Sequence, residues 1–106
     1  LCRTLGMDNA FLAIEFAGEA VSAMTMASRM VLANMSAELG AETGIVAPDA
    51  VTLDYLARHG TAIADPEAAL AWASDPDAAY VAQHSFAASD LVPQIAAPHS
   101  GQFGAR

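Results

Sequence analysis

Residues 24–49 read MTMASRMVLANMSAELGAETGIVAPD, and the way this stretch folds decides the fold of the whole chain. Alanine, methionine and leucine dominate as far as Leu39, which predicts a helix. Ser22 or Thr25 is placed to cap it, because a side-chain oxygen there can accept a hydrogen bond from an amide left unpaired in the first turn. Gly40 ends the helix by taking the left-handed conformation. TGIVAPD, residues 43–49, then forms a short strand closed by Pro48 and Asp49.

Placed at about 100° per residue, Met26, Met30, Ala33 and Ala37 form one apolar face, and Val31, Leu32, Met35 and Leu39 form another on roughly the opposite side. Only Arg29 and Ser36 mark a narrow polar edge. A helix apolar nearly all round is a buried helix, and its methionines read as core filling. Asn34 and Glu38 fall between the two apolar faces, away from Arg29 and flanked by Ala27, Met30 and Val31. One turn apart, their side chains can meet. A carboxylate in such surroundings is costly to ionise without a partner, which makes Glu38 a candidate for acid–base or ligand work. The plain alternative is a last-turn glutamate with its head in solvent. The pattern leaves both open.

Working outward, AFLAIEF, residues 10–16, mixes branched and aromatic side chains and reads as a strand ended by Gly18. DAVTLDYLARHG, residues 49–60, predicts a helix capped by Asp49, with Val51, Tyr55 and Leu56 towards a core and Gly60 as terminator. DPEAALAWAS, residues 65–74, predicts another, with Asp65 as cap, Pro66 in the first position and Trp72 filling a core gap. SDPDAAY is a turn in which Asp75 and Asp77 flank Pro76. Alternation in YVAQHSF, residues 80–86, predicts a strand exposed on one side, and Pro93 and Pro98 predict an irregular tail. His59, His84 and His99 are too scattered for a local metal site and read as surface or turn residues. The order strand, helix, strand, helix, helix, strand predicts the α/β class.

Composition narrows the function classes. The 106 residues allow one domain with a modest core, and 55% hydrophobic against 15% charged residues excludes a disordered acidic tail despite a net charge of −8. The basic residues are Arg3, Arg29, Arg58 and Arg106, with no lysine, so no positive surface exists to neutralise a phosphate backbone and nucleic acid is excluded as a partner. No uninterrupted apolar run is long enough to span a membrane, and the start LCRTLGMDNA lacks the form of a signal peptide, which predicts a cytoplasmic protein. Cys2, the single cysteine, permits neither an internal disulfide nor a thiolate cage and reads as an inert thiol. A start at Leu1 suggests an excerpt from a longer protein.

The pattern Arg29-Met30, Asn34-Met35, Glu38, Gly40-Ala41, Gly44 and Pro48-Asp49 resembles a segment of the aconitase superfamily of hydro-lyases. The likeness is greatest to the large subunits of 3-isopropylmalate dehydratase and homoaconitase. AIEFAGEAV, residues 13–21, is similar to the strand and glycine before that segment, and SDPDAAY with LVPQIAAPHS resembles the stretch after it. The resemblance implies that residues 1–106 are a single partial α/β segment of the catalytic region, part of a three-layer α/β/α large subunit. It further implies a [4Fe-4S] cluster held by three cysteines with one iron open to substrate, a hydroxy-acid substrate, and a small swivelling subunit as partner. Asn34 and Glu38 match the family's asparagine and glutamate beside the cluster, where the glutamate contacts the departing hydroxyl. The cluster cysteines, the Asp-Ser-His motif and the carboxylate-binding arginines have no counterpart in this chain, and GQFGAR, residues 101–106, departs from the family pattern.

Two function classes follow. In the first the chain is a segment of an iron–sulfur dehydratase, with 3-isopropylmalate as substrate and homoaconitate or aconitate as the alternative, inactive alone and prone to self-association. In the second it is an acidic interaction domain that keeps the scaffold without the chemistry.

Overall fold

The computed structural model describes residues 1–93, 95–96 and 104–105. The fold is α/β. Two short strands, β1 (Ala13–Phe16) and β2 (Thr43–Val46), run parallel with Ala13 opposite Thr43 and Phe16 opposite Val46. Parallel strands need a crossover. Here it consists of α2 (Glu19–Ser22), α3 (Met26–Asn34) and a 3₁₀ turn (Met35–Leu39). A short helix, α1 (Cys2–Leu5), precedes β1, and α4 (Ala50–Arg58) and α5 (Pro66–Leu70) follow β2.

The helix boundaries follow from local chemistry. Thr25 Oγ1 accepts from the Ser28 amide at 3.3 Å, so Thr25 caps α3 while Ser22 ends α2. Asp49 Oδ1 accepts from the amides of Val51 and Thr52, and Thr52 Oγ1 accepts in return from the Asp49 amide, a capping box at the start of α4. Asp65 Oδ1 accepts from the Ala68 amide with Pro66 in the first position of α5. Gly40, at φ 79°, closes the 3₁₀ turn, and a side chain there would also run into the Met7 carbonyl.

The facing of the central helix reverses the expectation. Arg29 is 2% exposed and Ser36, Leu39 and Ala41 are buried with it, whereas Met30, Val31 and Met35 are exposed. The supposed polar edge is therefore the inner one, and Met30 and Met35 do not fill a core. Packing against β2 supplies the reason: a Cβ on Gly44 would strike Ser36 Oγ and lie 2.6 Å from the Ala33 carbonyl oxygen. Only small residues fit where α3 meets β2, and Ala33, Ser36 and Gly44 are those residues. The change to 3₁₀ pitch, which eclipses residues three apart, carries Ser36 and Leu39 inward together.

Four further expectations are corrected. Residues 80–86 form no strand, and Val81 is 92% exposed. Alternation supplies side-chain facing but no ladder partner. The segment is tied instead through Glu15 Oε2, which accepts from Ser74 Oγ at 2.7 Å and from the Tyr80 hydroxyl at 2.8 Å. Trp72 fills no core gap, because α5 stops at Leu70 and leaves the indole 84% exposed beyond it. Past Pro93, Ile95–Ala96 (β3) pairs antiparallel with Gly104–Ala105 (β4), where an irregular tail was expected. The strand expected over 10–16 begins only at Ala13, since Asn9 and Leu12 close a turn with Phe11 at φ 65°.

Few side chains are buried among the described residues, which are loosely packed. The radius of gyration is 15.6 Å, against about 13 Å for a compact domain of this length.

Candidate functional site

Asn34 is the last residue of α3, and Glu38 lies in the 3₁₀ turn that follows. Both are exposed. Of the two readings left open for Glu38, a carboxylate in apolar surroundings and one with its head in solvent, the first is not found. Nor does the one-turn spacing hold: residues four apart differ by about 40° on an α-helix and by about 120° at 3₁₀ pitch, so the turn swings Glu38 away from the position directly above Asn34. It instead eclipses Glu38 with Met35, three residues earlier, and both face outward. Met30, Val31, Asn34, Met35 and Glu38 thus make one outward edge, apolar except for an amide and a carboxylate. Among the described residues neither polar side chain has a hydrogen-bond or ion-pair partner.

The inner side of the same helix carries the strongest polar interaction described. Arg29 Nη1 and Nη2 donate to Asp49 Oδ1 and Oδ2 at 2.6 and 2.8 Å, a two-bond fork, and Nη2 also donates to the Ser22 carbonyl at 2.9 Å. The guanidinium and the α4 cap amides lower the Asp49 pKa to about 2, against the opposing effect of burial, and the carboxylate in turn raises the Arg29 pKa. Sequence reading placed Asp49 correctly as a cap but missed its partner. The available signal was Arg29 itself, a lone cation on a helix with no acidic residue within four positions.

Described residues on either side of α4 line cavities. One of about 190 Å³ lies between α3 and the β2–α4 junction, lined by Met26, Arg29, Met30, Ala33, Val46, Pro48 and Thr52. Another, about 500 Å³, lies beside α4 and the loop to α5. Neither includes Asn34 or Glu38, which stand on an open face. His59 stacks on Tyr55 with its Nδ1 2.8 Å from the Tyr55 carbonyl, and His84 is exposed; His99 lies outside the described residues. No group of three His, Cys, Asp or Glu able to hold a metal occurs among the described residues, and no helix there is long and apolar enough to cross a membrane.

Comparison with known sequences bears on this geometry. A sequence model of the aconitase family (aconitate hydratase) matches residues 2–105. The chain belongs to the aconitase family. A probable methanogen homoaconitase large subunit from Methanosarcina mazei is 45% identical over 87 residues, covering 82% of this chain and 21% of the relative. The 3-isopropylmalate dehydratase large subunit of Desulfatibacillum aliphaticivorans is 44% identical over 96 residues, 90% of this chain and 22% of the relative. That of Methanoregula boonei is 43% identical over 101 residues, 94% and 23%. The chain thus spans about a fifth of the length of these aconitase-family relatives. Its relatives named dehydratases are hydro-lyases, and both family branches expected from residues 24–49 are represented among them.

Proposed function

We propose that this chain is the part of a hydro-lyase large subunit that brings Asn34 and Glu38 to a hydroxy di- or tricarboxylic acid. The proposed substrate is 3-isopropylmalate, which places the protein in leucine biosynthesis in the cytoplasm; homoaconitate or aconitate is the alternative. Residues 1–106 act as one partial α/β segment of the catalytic region, and a small subunit is the partner.

The observation that carries this reading is the outward edge of α3 and its 3₁₀ turn in a chain of this family. It exposes an amide and a carboxylate, turned apart by the 3₁₀ pitch, with Met30, Val31 and Met35 between and beside them. Once covered, such surroundings exclude water and strengthen every polar contact to a bound acid. The open face needs a second wall, and the remainder of a large subunit with its small subunit supplies one.

Dehydration breaks a C–O bond and a C–H bond on neighbouring carbons, and the C–H proton passes to a base supplied from outside these residues. The Glu38 carboxyl hands its proton to the departing hydroxyl, releasing water, and recovers a proton from water when the addition runs in reverse. The Asn34 amide, with two N–H donors and one acceptor oxygen, orients the hydroxy acid. A [4Fe-4S] cluster does not fit on these residues, because Cys2 is the single cysteine and the described residues offer no metal-holding group. Its ligands belong to other segments, and no step here runs through it.

The test is turnover by the large subunit carrying this segment, assembled with its small subunit, on 3-isopropylmalate and homoaconitate in parallel. Turnover of either acid supports the reading and selects the branch. Turnover of neither favours the acidic interaction domain, a reading supported by the net charge of −8 and the open apolar edge.

A further inference from the structure

We propose that Arg29 is a positioning residue for the edge that carries Asn34 and Glu38, acting through its fork to Asp49; the inference rests on the role given to Glu38 above. Arg29 is the one buried charged side chain among the described residues. Its three hydrogen bonds join the end of α2 through the Ser22 carbonyl, the body of α3, and the Asp49 cap of α4. Its Nε is buried with no partner, so the guanidinium is not optimally satisfied.

An ion pair with one partner buried is a poor source of net stability, since desolvation of that partner offsets much of the attraction. What a planar two-bond fork supplies is fixed geometry, which the point charge of a lysine does not reproduce. At the other end of the same helix Ser36 and Ala33 are wedged on Gly44. Held at both ends, α3 can neither roll about its axis nor slide along β2. The outward edge from Asn34 to Glu38 is set by these two inward contacts, on the opposite side of the helix from the reacting groups.

The test is steady-state kinetics on the assembled two-subunit enzyme for Arg29→Lys, with Arg29→Met as a second variant and Glu38→Gln alongside. Positioning predicts that kcat per folded enzyme falls about 10–100-fold in Arg29→Lys with KM within about two-fold. It also predicts that Arg29→Met falls at least as far, and that adding either substitution to Glu38→Gln lowers kcat little further. Parent kcat per folded enzyme in Arg29→Lys overturns the proposal, as does a loss that multiplies fully with that of Glu38→Gln. A lowered folded fraction with unchanged kcat reduces Arg29 to a structural role and overturns it too. If Glu38→Gln itself keeps parent turnover, the assignment of Glu38 fails, and the positioning role falls with it.

Discussion

Arg29 and Asp49 share two hydrogen bonds of 2.6 and 2.8 Å but not the same environment: the arginine side chain is 2% exposed and the aspartate side chain 39%. The two partners are therefore unequal when one is removed.

Asp49→Asn keeps a good helix cap but leaves a buried guanidinium facing a neutral amide, and a loss of about 3–5 kcal/mol is expected for an uncompensated buried charge. Arg29→Met leaves a half-exposed carboxylate that water can solvate, and about 1–3 kcal/mol is expected. Denaturant unfolding of the two variants checks the order. Equal losses, or a larger loss for Arg29→Met, would show that the burial asymmetry has no energetic weight.

The pair also sets an acid limit. Asp49 is held at about 2 in the folded chain against an ordinary 3.8, first by the Arg29 fork. A depressed carboxylate contributes stability fully above its unfolded pKa and loses it as pH falls through the folded value. The contribution should thus be intact above about pH 4 and disappear towards pH 2, reduced in size by the solvent exposure of Asp49. Thermal melts of the parent and Arg29→Met, compared across this window, should converge as the pH falls.

Gly44→Ala should destabilise although alanine ordinarily suits a strand better than glycine. The new Cβ would meet the Ala33 backbone at 2.6 and 2.9 Å, and backbone cannot swing aside. About 1–3 kcal/mol is expected for such overpacking. A neutral or stabilising effect would mean that α3 does not sit this close to β2.

The outward edge predicts association. Met30, Val31 and Met35 expose apolar surface on one stripe, and like charges on a chain of net charge −8 oppose contact between copies. Sedimentation of the isolated chain should show self-association that grows as salt screens this repulsion, and Val31→Lys should reduce it. A monomer at all salt concentrations contradicts the reading of that edge as a surface in need of cover.

What was legible in the sequence was local. Thr25, Asp49 and Asp65 act as caps, and Gly40 and Gly60 take positive φ at helix ends, because each role depends on residues within four positions. Facing was not legible. The hydrophobic wheel assigned Arg29 and Ser36 outward because it counts polarity, whereas the α3–β2 contact is decided by size and by a partner twenty residues away. The wheel also assumed one helical pitch through Leu39, and the 3₁₀ turn at Met35 changed which residues share a side. The expected strand at 80–86 failed for a related non-local reason: alternation names no ladder partner, and the segment reaches β1 through the Tyr80 hydroxyl on Glu15 without pairing along its edge. Asn34 and Glu38 were singled out by their place between two apolar faces, which left burial and solvent exposure both open; both are exposed, and their proposed role stands on the family and on the edge they occupy.

The most direct test of that role is the turnover of Glu38→Gln in the assembled two-subunit enzyme, with substrate affinity measured alongside. The amide keeps the shape of the side chain and removes its proton chemistry. A fall in kcat of about 100-fold or more, with affinity retained, is predicted for loss of a general acid–base group. Turnover within about two-fold of the parent would contradict the account and remove Glu38 from the reaction.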